Sequence, residues 1–180
     1  YLQVDSAVKK ISNYITRKVA DKLNSLFKED RKKFEEKWND IKVIIEYGML
    51  SEDKFFEKSD AFALFPTTEN KFFTYDELIK KIKKNHVDKD GKTIILYSSN
   101  IEEQDSYIKE ANKKGYTVLL LDSPIVSHLI QKFETSKEKI SFARVDSDAI
   151  DNLIKKEEKS ISKLTEKEQE KLKEQIEEVI

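Results

Sequence analysis

Three carboxylates have the residue type and spacing for metal chemistry. Asp122 closes the apolar run "TVLLLD" (Thr117–Asp122), and Asp146 and Asp148 follow the run "ISFARV" (Ile140–Val145) as an Asp-x-Asp pair. Hard carboxylate oxygens at neighbouring strand ends are a Mg²⁺ donor set. One reading is therefore a stand-alone Mg-dependent α/β enzyme using Asp122, Asp146 and Asp148. That enzyme needs a further acid after the first strand, where the chain has Ser98-Ser99-Asn100. The same triplet lacks the glycines that let backbone amides approach a phosphate, and no Walker A sequence is present. The preferred reading has Asp146 or Ser147 capping the next helix, with negative charge favourable at its N-terminus.

Other reactive residue types point away from an enzyme. His86 falls in a polar turn and His128 on a helix, neither with a second His or Cys at ligand spacing. Ser127 and His128 are helical neighbours and point apart. Both histidines read as structural or solvent-facing. The absence of Cys excludes thiol catalysis, disulfides and Cys-based zinc sites. Lys+Arg total 34 against Asp+Glu 35, a net charge of −1, so no global field favours nucleic acid or an anionic membrane. Lysine-rich "KKIKKNH" reads as a solvated helix face. Trp38, Tyr47, Phe55, Phe56, Phe62 and Phe65 read as core, and any left exposed would suit a protein partner. The residues alone favour an interaction or coupling module.

The elements that must position these residues follow from periodicity. Val4, Val8, Ile11, Ile15, Val19, Leu23 and Leu26 put one apolar stripe along a long helix capped by Asp5 or Ser6. A second helix runs from about Asp30 to Tyr47 and stops at Gly48. A third, short one follows Ser51 as cap and carries Phe55 and Phe56. Pro66 marks a break, and "AFALFPTTEN" has no clear assignment. Thr74 and Glu77 form a capping box for a helix through Ile82. Three strand-forming runs, Thr93–Ser98, Thr117–Asp122 and Ile140–Val145, alternate with helices, one stopping at Gly115 and one opening at Ser123-Pro124. Helix-length crossovers imply parallel pairing. The expected fold class is α/β: an N-terminal three-helix array (1–66), a small αβα unit with a three-stranded parallel sheet (67–156), then a connector and C-terminal helix (157–180). That last helix has a Thr165–Glu168 capping box and apolar Leu172, Ile176 and Val179. No apolar run reaches membrane-spanning length, and no signal peptide is visible.

The segments "YLQ", "VKKISNYITRKVADKL", "FEEKWNDIKVIIEYGMLSEDKF", "FFTYDELIKKIK", "DKDGKTIILY", "KKGYTVLLLDSPI" and "FARVDSD" occur in this order. Over about residues 1–155 they resemble the middle domain of the ninety-kilodalton heat-shock chaperones, bacterial HtpG type. The connector and last helix resemble entry into that family's C-terminal domain. The resemblance implies an ATP-dependent, cytoplasmic, stress-responsive homodimeric chaperone that folds proteins and binds unfolded ones. Its partners would be client proteins, co-chaperones and its own N-terminal ATPase and C-terminal dimerisation domains, with no nucleic acid or membrane. ATP and Mg²⁺ would be cofactors of the full-length protein, none being bound by this fragment. In the family a middle-domain loop reads Ser-Arg-Glu-x-Leu-Gln, and its Arg and Gln reach the γ-phosphate of ATP. Tyr1-Leu2-Gln3 matches the end of that loop, so the resemblance makes Gln3 the site residue and leaves the loop Arg outside the chain. The opening reads as a cut within the loop. Whether the chain has enzyme activity stays open; its parent would be an ATPase and the piece alone inactive.

Overall fold

The computed structural model describes residues 2–154, 170–171 and 173–177. Helix α1 (Leu2–Glu29) is followed by α2 (Arg31–Ser51) and α3 (Asp53–Ser59). A single residue, Asp30, separates the first two; its carboxylate accepts the Lys33 N–H at 3.1 Å, an N-cap for α2. Helix α1 begins upstream of Asp5 and Ser6, so Asp5 sits in its first turn instead of capping it. Nor does Gly48 end α2. A Cβ there would lie 3.0 Å from the Phe55 ring, so the glycine permits a close approach of α3 and the helix runs on to Ser51. Ser51 does not cap α3 either: its hydroxyl donates to the Tyr47 carbonyl at 2.7 Å.

A short antiparallel pair follows, β1 (Phe65–Pro66) and β2 (Phe72–Phe73), with Asn70 at φ 60 in its connection. Two-residue strands are too short for periodicity to show, which explains why this segment had no assignment. Helix α4 (Tyr75–Ile82) has the capping box expected of Thr74 and Glu77, with the Thr74 N–H donating to Glu77 at 2.9 Å. The same carboxylate takes a two-pronged contact from Arg31 at 2.7 and 2.8 Å. Arg31 holds the Glu77 carboxyl down to about 2.

The sheet has the order β4-β3-β5, with all pairs parallel: β3 (Thr93–Ser98), β4 (Val118–Leu120) and β5 (Ile140–Arg144). Its crossovers contain α5 (Asp105–Lys113) and α6 (Val126–Ser136), and α7 (Ile150–Leu153) follows β5. Helix α5 starts later than Ile101 because Asn100 accepts the N–H groups of Glu102 and Glu103, forming a turn. Central strand β3 is covered on both faces. Ile95 packs with residues of α2, α3, α4 and α6, whereas Ile94 and Leu96 pack with Ile108, Ala111, Val145 and Ile150. Alternate residues of a strand point to opposite faces, so this one strand serves two cores. The first core runs through both halves of the chain, from Trp38 and Phe55 to Leu78 and Phe133.

Trp38, Phe55, Phe56, Phe62 and Phe65 are buried as expected, whereas Tyr47 is exposed. The α1 stripe departs further from expectation. Ala20 is buried, and Leu23 and Phe27 pack against the core, but Val4, Val8, Ile11 and Ile15 are all more than half exposed. Twenty-eight residues of helix extend roughly 42 Å, farther than the neighbouring elements reach. The described C-terminal residues, 170–171 and 173–177, are helical and exposed, Ile176 included. The expected connector, the Thr165–Glu168 capping box, Leu172 and Val179 lie outside the described residues.

His86 is structural and fully buried. Its Nδ1 lies 2.8 Å from the Ile94 carbonyl, and its Nε2 accepts the Thr117 N–H at 3.1 Å. The neutral ring, protonated on Nδ1, therefore ties the segment after α4 to β3 and to the entry of β4. Burial lowers its pKa, and the contact to Ile94 opposes this. The unfolded chain takes up a proton more readily below the ordinary value of 6.5, so this stabilisation is present at neutral pH and lost as pH falls. Replacing His86 by Ala should cost about 3 kcal/mol near pH 7.5, since it leaves two backbone groups unpaired. It should also remove the loss of stability that sets in as pH falls below about 6.5. Urea denaturation above and below that pH checks this.

Candidate functional site

Gln3 falls in the first turn of α1. Its backbone continues the helix, and its side chain lies outside what the structure describes. Down the same helix, α1 packs against α3 and α2, and α2 packs against α6. A continuous helical path thus leads from the Gln3 turn into the main core.

The three candidate metal carboxylates have separate partners. Asp122 pairs with Lys42 of α2. Asp146 pairs with Arg144, and the Ser147 hydroxyl donates to the Arg144 carbonyl at 2.6 Å. Asp148 accepts from the Ala149 N–H at 2.7 Å and the Asn152 amide at 3.1 Å. The residue at the N-cap of α7 is Ala149, so neither Asp146 nor Ser147 caps that helix. Among the described residues no group of three or more His, Cys, Asp or Glu is placed to hold a metal. The C-terminal end of β3, where an open α/β sheet would bind a nucleotide, is closed by buried Gln104. Its side-chain oxygen accepts from the Ser98 hydroxyl at 2.7 Å and the Ser99 N–H at 3.1 Å. His128 is exposed on α6 and makes no triad with Ser127.

The α2–α6 junction is the polar feature that the sequence did not reveal. Lys132 of α6 donates to the Met49 carbonyl at 2.6 Å and the Leu50 carbonyl at 3.3 Å, and reaches Asp53 at 2.9 Å. It thereby places a cation on the C-terminal carbonyls of α2. One end of the junction holds Glu46, only 7% exposed, beside Ser123, Lys42 and Asp122. Burial raises the Glu46 carboxyl above its ordinary value; the Ser123 hydrogen bond and Lys42 pull it back. Its Oε2 has no hydrogen-bond partner. The only prior signal was a charged residue amid "IKVIIEY", which helical periodicity alone does not place inside or outside.

A carboxyl whose pKa is raised by folding contributes stability below its unfolded value of 4.5, and that contribution is lost as pH rises through the folded value. Replacing Glu46 by Gln, a neutral near-isostere, should therefore raise the melting temperature at pH 7 and change it little at pH 4. Thermal melts of the two proteins at both pH values measure the difference.

No helix among the described residues is long and apolar enough to cross a membrane. No protein-family model matches the chain. Among curated proteins it is similar to the chaperone protein HtpG of Bacteroides thetaiotaomicron, with 59% identity over 111 residues, 62% of this chain and 16% of that protein. HtpG of Bacteroides fragilis is 53% identical over 111 residues and HtpG of Porphyromonas gingivalis 45% over 112, with the same shares covered. The chain thus spans about a sixth of the length of these relatives. Among solved structures the fold is similar to the middle domain of a heat shock protein from Plasmodium falciparum. The TM-score is 0.61 at 15% identity, covering 80% of this chain and 60% of that one. The chain is thus similar in sequence to HtpG chaperones over 62% of its length, and its fold is similar to that of a heat-shock-protein middle domain.

Proposed function

We propose that this chain serves as a middle-domain segment of an ATP-dependent chaperone, linking the ATP state of an N-terminal domain to client handling and dimerisation elsewhere in a homodimer. The observation that carries this reading is the 45–59% identity to HtpG chaperones over more than a hundred residues. The ends of this chain's own sheet do not fit a nucleotide, because Gln104 occupies the hydrogen-bonding groups after β3. In this reading ATP and Mg²⁺ are held by the N-terminal domain, and Gln3 approaches the γ-phosphate when that domain closes. A glutamine amide there can orient phosphate or water, while a neighbouring arginine stabilises the charge that develops in transfer. The domain division 1–66, 67–156 and 157–180, the cytoplasmic location, the role in stress and the clients and co-chaperones belong to the same proposal.

Rigid-body transmission suits the geometry. Helix α1 is one uninterrupted element from the Gln3 turn to Glu29, and its inner end is packed into the core. Such a lever moves with the body it is anchored in. In the full-length protein, Gln3→Ala should slow ATP turnover by about tenfold or more while leaving ATP affinity nearly unchanged. Steady-state hydrolysis and nucleotide titration separate the two effects, and unchanged turnover would remove Gln3 from the mechanism.

A further inference from the structure

A cavity of about 300 Å³ lies between α1 and α3, and its charged lining is entirely cationic: Lys10 and Arg17 from α1, Lys54 and Lys58 from α3. Asn13 and Tyr14 add polar groups between them. Lys10 and Arg17 are seven residues apart, two turns along one helix face, and Lys54 and Lys58 are one turn apart on the facing helix. Both helices are anchored: α1 through buried Ala20, α3 through buried Phe55 and Phe56. Packing of those apolar residues thus brings the backbones that carry four exposed cations around one space, although they come from segments some forty residues apart in sequence. Compensation is slight. Lys58 has a 3.7 Å ion pair with Asp21 between exposed groups, and neither Lys10 nor Lys54 pairs with another described residue. Arg17 stands 5.8 Å from the centre of the Tyr14 ring, which orients the guanidinium without neutralising it.

We propose that this cavity binds a condensed phosphate, with the lysines as point charges and Arg17 as a planar donor for phosphate oxygens. The length of the array sets the class of ligand. Lys10 and Arg17 are about 10 Å apart along the helix axis. A lone orthophosphate engages only part of that array, whereas a chain of three phosphates distributes its charge along it. The ligand chemistry is common to inorganic polyphosphate and to the triphosphate of a nucleotide. The proposal is independent of any role for Gln3.

Titration calorimetry of the full chain at low ionic strength with orthophosphate, pyrophosphate and tripolyphosphate tests it. Affinity should rise in that order, saturate at one site per chain and weaken with added salt. Lys54→Gln with Lys58→Gln should weaken tripolyphosphate binding about tenfold or more, as should Arg17→Gln, while Lys83→Gln with Lys84→Gln, on the exposed turn after α4, should leave it unchanged. All the replaced side chains are exposed, and a thermal midpoint at or above the parent's verifies folding. ATP binding as tightly as tripolyphosphate would identify the nucleotide triphosphate as admissible; exclusion of ATP would identify the free chain. Absence of saturable binding, indifference to the Lys54, Lys58 and Arg17 changes, or preference for poly-glutamate over tripolyphosphate would overturn the proposal.

Discussion

Phe133 is the contact on which the rest of the packing depends. This one ring of α6 lies 5.2 Å from Phe56 of α3, 5.4 Å from Phe65 of β1, 6.0 Å from Tyr75 of α4 and 6.1 Å from Phe142 of β5. Aromatic pairs at such separations add to simple burial. More important is what they join. The helical array, the short hairpin, the helix after it and the parallel sheet all place an aromatic ring against the same side chain. The array and the sheet therefore share a core, and neither half can shift without disturbing Phe133.

Polar contacts around that ring reinforce the same union. Lys132 and Lys137 flank it in sequence. Lys132 holds the end of α2, and Lys137 pairs with Asp60 at 2.6 Å while lying over the Tyr75 and Phe56 rings. Arg31, at the start of α2, reaches across to Glu77 at the start of α4. Isolated surface ion pairs contribute little, but these three are attached to helix ends or to aromatic faces that are already ordered. The consequence is one packed body, with the N-terminal part of α1 extending from it. Glu46 and His86 place two titratable groups inside this body with opposite shifts, one acid held back from ionising and one base held neutral. Both favour an interior free of net charge, as desolvation requires.

Much of this was legible in advance because it rests on local chemistry. The Thr74–Glu77 box, the helix stop at Gly115 and the three parallel strands each depend on residues within a few positions of one another. Errors arose where a distant group decided. Gly48 reads locally as a helix terminator, but the Phe55 ring of α3 packs against it. Asp146 is a local exception: it pairs with Arg144 two residues before it, and α7 starts only after Ala149. Tyr47 carried the same apparent core signal as Trp38 but faces outward, since a periodic pattern does not say which neighbour will cover it. His86 had no motif at all, because its two partners are backbone groups of other elements.

By itself the sequence determined the order of the main helices and of the three parallel strands, and the family resemblance, for these follow from periodicity, turn chemistry and ordered motifs that need no third dimension. It also named Gln3, through resemblance alone. Only the tertiary structure decided that the array and the sheet share one core, that the three aspartates are dispersed among separate partners and that four cations from α1 and α3 surround one cavity. The physical reason is that burial and electrostatics depend on distances in space, and chain folding brings together groups whose separation along the sequence carries no sign of it.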